Sequence, residues 1–265
     1  MTKLKEDVVW ITGASSGIGK AMAFEFASLG YKMVLSARRK ELLEKIASKI
    51  KHDGGEALVV PLDILEEASI EDAVKSIIEE WGRIDIAVAN AGFGVFGGID
   101  KLTSKEWDRQ LKGNVIGLAL TAKYALPYLK KQNGRIGLVG SVGAYLPNPG
   151  LVAYGASKAA VHSIGVTLQV ELKGTGVSCT TLHPGFVESE IARVDNKGQW
   201  HPERKDPRPE KLMWATDKAA KVMVKAILKR KRNYVFTVHG KVLVWLQSWF
   251  PGAMRYISSK GPKPD

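Results

Sequence analysis

The chain has 265 residues, 45% hydrophobic and 25% charged, which suits one sizeable globular domain and excludes a disordered or fibrous chain. Cys179 is the only cysteine, so no intrachain disulfide can form, and no apolar run approaches the ~18 residues of a membrane-spanning helix. The net charge of +12 is concentrated at one end: from Asp217 onward eleven basic residues face two acidic ones, which suits an acidic partner surface or a solvated helix face.

The first ten residues, MTKLKEDVVW, are interrupted by charge until Val8 and hold no secretory core, so a cytoplasmic location is expected. The apolar run VVWITG (8–13) predicts a first strand, and TGASSGIG (12–19) leads from it into a helix. A second strand, KMVLSA (32–37), runs into Arg38 and Arg39. A third is expected over 56–63, ending on Asp63, and a helix over 66–82 closes at Trp81-Gly82. The fourth strand, 84–92, ends Asn90-Ala91-Gly92, and the fifth, 134–141, ends on Ser141. VAYGASKAAV (152–161) reads as a helix with Tyr154 and Lys158 on one face, one turn apart, among small or β-branched neighbours. The sixth strand, 177–185, ends on Pro184-Gly185, and a seventh covers 233–238. The proline- and charge-rich stretch 193–212 is too long for a passive connection and predicts a substrate lid over 190–215. Seven apolar strands alternating with helices predict an α/β fold built on a doubly wound parallel sheet.

Gly13, Gly17 and Gly19 stand at the first strand–helix junction, where glycine lets the backbone turn sharply and approach a diphosphate. Ser15, Ser16 and Ile18 belong to the same turn. At the end of the second strand, a ribose 2′-hydroxyl calls for an acid and a 2′-phosphate for arginine. Arg38 and Arg39 stand there, which favours NADPH or NADP+ over NADH, with Arg38 the stronger candidate. The alternative is that both arginines decorate a loop. Taken alone, Tyr154 and Lys158 read as two polar residues of a surface helix.

In this order the motifs resemble those of the short-chain dehydrogenase/reductase family over nearly the whole chain. TGASSGIG matches the family's cofactor turn, ANAG (89–92) its Asn-Ala-Gly motif, and GNVIG (113–117) the position of a catalytic asparagine, Asn114. GSVGAY (140–145), Tyr154 with Lys158, and HPGFVESE (183–190) complete the match. The resemblance implies a single-domain Rossmann-type sheet in the order 3-2-1-4-5-6-7. It also implies an oxidoreductase in which NADPH reduces a ketone or aldehyde carbonyl to an alcohol and Tyr154 donates the proton. Lys158 would hold the nicotinamide ribose and lower the phenol's pKa, Ser141 would bond the substrate oxygen, and Asn114 would hold a water near Lys158. Asp63, Asn90, Ala91 and Gly92 would line the adenine side of the cofactor. Pro184, Gly185, Val187 and Ser189 would line the nicotinamide side, Ser189 standing where the family often has threonine. Singly, Ser141 also reads as a strand-end turn residue and Asn114 as an amide bonded to backbone. A homodimer or homotetramer is implied. A 3-oxoacyl-thioester reductase and a non-catalytic NADPH-binding regulator are the alternative functions.

Residues 1–239 are then the catalytic domain and 240–265 a basic, amphipathic extension. Val242, Trp245, Leu246 and Trp249 share a helical face, and Pro251 breaks the helix. Three readings stay open for the segment 240–257: peripheral contact with an anionic membrane, a cover for the substrate pocket, or a subunit contact. Each is compatible with a lipophilic carbonyl substrate. No nucleic-acid-binding motif accompanies the charge, and no spacing of His, Cys, Asp or Glu suggests a metal. His162 and His183 read as structural, and His201 as a substrate contact from the lid.

Overall fold

The computed structural model describes residues 5–260. Its first half alternates β1 (Val8–Thr12), α1 (Gly17–Ser28), β2 (Lys32–Ser36), α2 (Lys40–His52), β3 (Ala57–Val59), α3 (Glu67–Trp81) and β4 (Ile86–Ala89). There follow α4 (Ser104–Leu111), α5 (Leu118–Lys131), β5 (Arg135–Val139), α6 (Val152–Glu171), β6 (Ser178–His183), α7 (Thr216–Leu228) and β7 (Asn233–Val235). The last two helices are α8 (Val238–Trp249) and α9 (Pro251–Ser259). The seven strands form one sheet in the order β3-β2-β1-β4-β5-β6-β7, every pair parallel.

The alternation of side chains along β1 explains why its residues are apolar without a break. Val9 and Ile11 face a layer that includes Met22, Phe26, Leu43, Met223 and Ile227, while Val8 and Trp10 face Ile70, Ile77, Ala122, Leu129 and Val161. Helices α1, α2 and α7 therefore cover one face, and α3, α5 and α6 the other. Val9 pairs with Met33 on one side and Ile86 on the other, so the chain reverses its winding beside β1. Ligands of open α/β sheets bind at the carboxyl ends of strands at such a switch point.

Several boundaries differ from the sequence reading for local reasons. The third strand is regular only over Ala57–Val59, although the Val60 and Leu62 N–H groups still donate to the Leu35 and Ala37 carbonyls on either side of Pro61. The seventh stops at Val235, because Thr237 already serves as the N-terminal flank of α8. The division at 239/240 falls within the first turn of α8, and a Cβ on Gly240 would lie 2.9 Å from Val142 Cγ1. Gly82 closes α3 in the left-handed conformation at φ 70°, and Pro251 opens α9 in its first turn. The lid segment is irregular apart from 3-10 turns at Glu190–Arg193 and Glu210–Leu212. The final residues of the basic extension, Lys263 and Asp265 among them, lie outside the described residues.

Candidate active site

Past the end of β1 the backbone turns at Gly13 (φ 69°) and enters α1 at Gly17 (φ 51°). A Cβ on Gly13 would lie 2.8 Å from Ala91 Cα, and one on Gly19 would run into the Gly13 carbonyl, so any side chain there would force the turn apart. The turn is tied to the segment after β4 by the Asn90 amide, whose Nδ2 donates to the carbonyls of Thr12 (2.9 Å) and Gly13 (3.2 Å). Thr12 Oγ1 answers by accepting the N–H groups of Asn90 and Ala91. No side chain caps α1 and no acid lies in its first turn. Its free N–H groups and positive end therefore face the cleft, which fits a diphosphate.

Gly13, Ser15, Ser16, Gly17, Ile18, Gly19, Arg38, Arg39, Asp63, Asn90, Ala91, Gly92, Ser141, Tyr154, Lys158, Pro184, Gly185, Val187 and Ser189 line one continuous cleft. Asn114 does not; it lies fully buried behind the wall. The two arginines are used differently. Arg39 Nη2 donates to Ser15 Oγ (3.2 Å) and Ser16 Oγ (3.0 Å) and pairs with Glu190 at 3.2 Å. Arg38 is exposed and makes no hydrogen bond among the described residues, so its guanidinium is free for a ligand. Asp63 Oδ1 accepts the Leu65 N–H at 3.0 Å, which holds the loop after β3.

At the other end of the cleft, Ser141 follows β5 in extended conformation, and its Oγ accepts the Gly143 N–H at 3.0 Å. Tyr154 occupies the first turn of α6, and Lys158 lies one turn further in, 5% exposed. Lys158 Nζ donates to the Val139 carbonyl at 2.9 Å and stands 5.8 Å from the centre of the Tyr154 ring. Burial lowers the Lys158 pKa to about 8. The Tyr154 phenol is shifted upward by burial, with the Ser141 hydroxyl and then the Arg208 charge acting against it. The expected lowering by Lys158 is not what governs this site. The ammonium is itself desolvated and turned onto a backbone carbonyl, and the opposing charge comes from the lid.

Asn114 sits in a π-turn, Lys112–Gly117, between α4 and α5. Its Oδ1 accepts the Phe93 N–H at 3.0 Å, and Nδ2 donates to the Phe93 carbonyl and to Ser157 Oγ. A Cβ on Gly92 would lie 3.0 Å from Asn114 Oδ1 and 3.7 Å from Lys158 Nζ. Glycine therefore keeps the space between the amide and the ammonium open.

Behind Ser141 runs a part-buried chain of hydrogen bonds that the histidine readings did not anticipate. His183 Nδ1 lies 3.2 Å from the Ser141 carbonyl, His183 Nε2 lies 3.1 Å from the Tyr145 hydroxyl, and that hydroxyl lies 3.1 Å from His162 Nδ1. A carbonyl only accepts, so His183 carries its proton on Nδ1 and accepts the Tyr145 O–H at Nε2. Tyr145 in turn accepts from His162 Nδ1–H. Burial holds His183 neutral, its pKa lowered to about 4, which preserves this direction. Tyr145→Phe leaves His183 Nε2 buried without a donor and is expected to cost about 1–3 kcal/mol in urea unfolding. An unchanged midpoint would show the chain to be dispensable.

Residues of the 190–215 segment line the same cleft. Glu190, Ile191, Val194, Gly198, Trp200 and Arg208 face the same space as the cofactor turn. Asn196 clasps the opposite wall: its Oδ1 accepts the Phe96 N–H and its Nδ2 donates to the Phe96 carbonyl and Glu106 Oε1, each at 2.8 Å. Arg109 of α4 donates to the Asn196 carbonyl at 2.9 Å and stacks 3.9 Å from the centre of the Phe93 ring. Burial lowers the Arg109 pKa, and the charge of Arg38 adds to this, so two guanidiniums face one space. Arg208 donates to the Val187 carbonyl and Ser189 Oγ and pairs with Asp206. His201 is bonded to Asp195 at 3.0 Å and does not line the cleft. Arg109, Arg208 and Asn196 belong to no sequence motif; only the charge and proline content of 193–212 pointed toward two of them.

Comparison with known proteins agrees with this geometry. A family model described as short chain dehydrogenase matches residues 7–200. An uncharacterised oxidoreductase of Staphylococcus epidermidis is 36% identical over 200 residues, which covers 75% of this chain and 86% of the relative. The 11-beta-hydroxysteroid dehydrogenase A of Sesamum indicum is 30% identical over 258 residues, 94% of this chain and 74% of the relative. The crystal structure of a short chain dehydrogenase/reductase from Burkholderia phymatum in complex with NAD superposes with a TM-score of 0.82. Its sequence is 27% identical, and the match covers 100% of this chain and 99% of that one.

Proposed function

Because the chain belongs to the short-chain dehydrogenase family of NAD(P)-dependent oxidoreductases, we propose that it is an NADPH-dependent reductase of a lipophilic ketone or aldehyde. The observation that carries the reading is the convergence of Tyr154, Ser141 and Lys158 at one end of a cleft whose other end is built for a diphosphate. When bound, the nicotinamide cofactor supplies the hydride. The free α1 N–H groups would take its diphosphate, Arg38 and Arg39 a 2′-phosphate, and Pro184, Gly185, Val187 and Ser189 its nicotinamide end.

Ser141 Oγ accepts from Gly143, and its O–H, directed at the Tyr154 phenol, would donate to the substrate oxygen placed beside them. Burial keeps the Tyr154 phenol protonated at neutral pH, the form a proton donor to that oxygen requires. The Lys158 ammonium, charged below about pH 8, favours the phenolate that remains once the proton has left. The apolar lid residues Ile191, Val194 and Trp200 support a lipophilic substrate, as does the similarity to a protein named for a hydroxysteroid. We read residues 1–239 as the catalytic body and place the protein in the cytoplasm. It would act as a homodimer or homotetramer, for which the exposed Ile116, Val166 and Val170 beside Asn114 and on α6 supply an apolar face.

The test is initial rates with NADPH and NADH against aldehydes, cyclic ketones and 3-oxoacyl thioesters graded by size. Turnover is expected to favour NADPH and to rise with ring or chain content. Arg38→Ala combined with Arg39→Ala should raise the KM for NADPH by about tenfold or more and leave that for NADH nearly unchanged. Equal use of NADH by the wild-type protein would overturn the phosphate assignment. A preference for 3-oxoacyl thioesters would replace the simple-carbonyl reading.

A further inference from the structure

Four apolar residues of α8 face solvent: Val238 (70% exposed), Val242 (50%), Trp245 (55%) and Trp249 (69%). Their spacing of four, three and four residues confines them to a sector of about 60° on a helix turning about 100° per residue. Phe250 extends the stripe, its ring centre 6.0 Å from that of Trp245, and Tyr256 and Ile257 of α9 are also exposed. Only Gly240 of α8 and Met254 of α9 are buried, so the two helices lie on the body rather than in it. The groove beside the stripe brings Lys211, Leu212, Met213 and Lys218 from around the end of the lid against Val238 and Val242. None of this is explained by the carbonyl chemistry.

From Val238 to Lys260 the chain carries Lys241, Arg255 and Lys260 and no acidic residue. The two helices thus combine an apolar stripe rich in Trp with three cations and no acid of their own. We propose that α8 and α9 dock in plane on an anionic lipid bilayer, with Trp245, Trp249 and Phe250 in the interfacial layer and the three cations at the headgroups. Trp and Tyr favour that layer because an apolar ring and a polar edge are both satisfied there. A second copy of this chain is a poorer occupant, because it would bring the same cations to the border and no acid to pair with them. A nucleic-acid duplex would meet the cations and leave Val238, Val242 and the tryptophans in water. No described helix is long and apolar enough to cross a membrane, so the contact is one of lying on the surface.

The full chain should co-sediment with phosphatidylcholine vesicles containing phosphatidylserine at low salt, and release at high salt. Without phosphatidylserine, partitioning should fall sharply. Neutralising the border with Lys241→Gln, Arg255→Gln and Lys260→Gln should weaken partitioning on the order of a hundredfold, at about tenfold or less per charge. Trp245→Glu with Trp249→Glu should abolish it while thermal melting and NADPH binding stay as in the wild type. If that double variant misfolds, the glutamine variant and the salt dependence of the wild-type protein carry the test. Brominated lipid should quench Trp emission in the wild type and much less in Trp245→Phe with Trp249→Phe. The proposal is overturned by absence of vesicle binding at low salt, or by binding that the charge and Trp variants leave intact. It is overturned equally if these variants only dissolve a lipid-independent oligomer in sedimentation velocity, which would assign the face to a second copy.

Discussion

Tyr154→Phe is expected to lower the rate of carbonyl reduction by about 10²–10⁴-fold, the usual contribution of a positioned general acid, with NADPH binding retained. The substitution removes one hydroxyl and keeps the ring that packs in the first turn of α6. Lys158 keeps its bond to the Val139 carbonyl, and Ser141 keeps Gly143, so the geometry on either side of the lost group survives. The loss should therefore fall on kcat rather than on cofactor affinity, measured by NADPH fluorescence titration beside steady-state rates. Turnover within a few-fold of the wild type would remove Tyr154 from the chemistry. The pH profile gives a second readout. Burial raises the phenol pKa, so the acid form persists through neutrality, whereas Lys158 loses its charge near pH 8. Reduction should hold level through neutral pH and decline above about 8, where the Lys158 ammonium, 5.8 Å from the centre of the Tyr154 ring, loses its charge.

Acid should destabilise the protein through His183, by roughly 3 kcal/mol between pH 7 and pH 4. His183 is fully buried, and its pKa lies near 4 instead of 6.5, chiefly through loss of solvation. The Ser141 carbonyl acts against that shift, while the charges of His162 and Lys158 add to it. Between pH 6.5 and 4 the unfolded chain binds a proton at this residue and the folded chain does not. Protons therefore favour the unfolded state in that window, and stability falls as pH falls. His183→Gln can still donate to Ser141 and accept from Tyr145, without a titrating group. Urea unfolding at pH 7 and pH 4.5 should show most of the acid loss in the wild type and little of it in the variant. Equal acid losses in both would place the sensitivity at groups other than His183.

Much of the architecture was legible because it rests on periodicity and on residues whose backbone chemistry is special. A strand buried on both faces has to be apolar throughout, and β1 could be read from Val8 to Thr12 for that reason. Gly13 and Gly19 were legible because only glycine tolerates that φ or that close approach to Asn90 and Ala91. That Tyr154 and Lys158 share a helix face was legible because an i, i+4 spacing is a local property of any helix, but their role was read only from the resemblance. The third strand was overextended because a run of apolar residues does not reveal where regular strand geometry gives way to a loop, even though the Val60 and Leu62 N–H groups still reach β2 and Ala37. The seventh was overextended because α8 begins at once.

The sequence by itself determined the alternation of strands and helices and the glycine turn after β1, since these follow from local geometry; the strand order and the groups expected at the carboxyl ends of the strands came from the resemblance. Tertiary structure alone decided what surrounds those groups. It brought Arg208 from the lid toward a phenol 54 positions earlier in the chain and turned Lys158 onto a backbone carbonyl. It also linked His162, Tyr145 and His183 behind Ser141, and left one stripe of α8 uncovered. Desolvation, charge and exposure depend on which distant segments pack together, and no spacing within a single element encodes them.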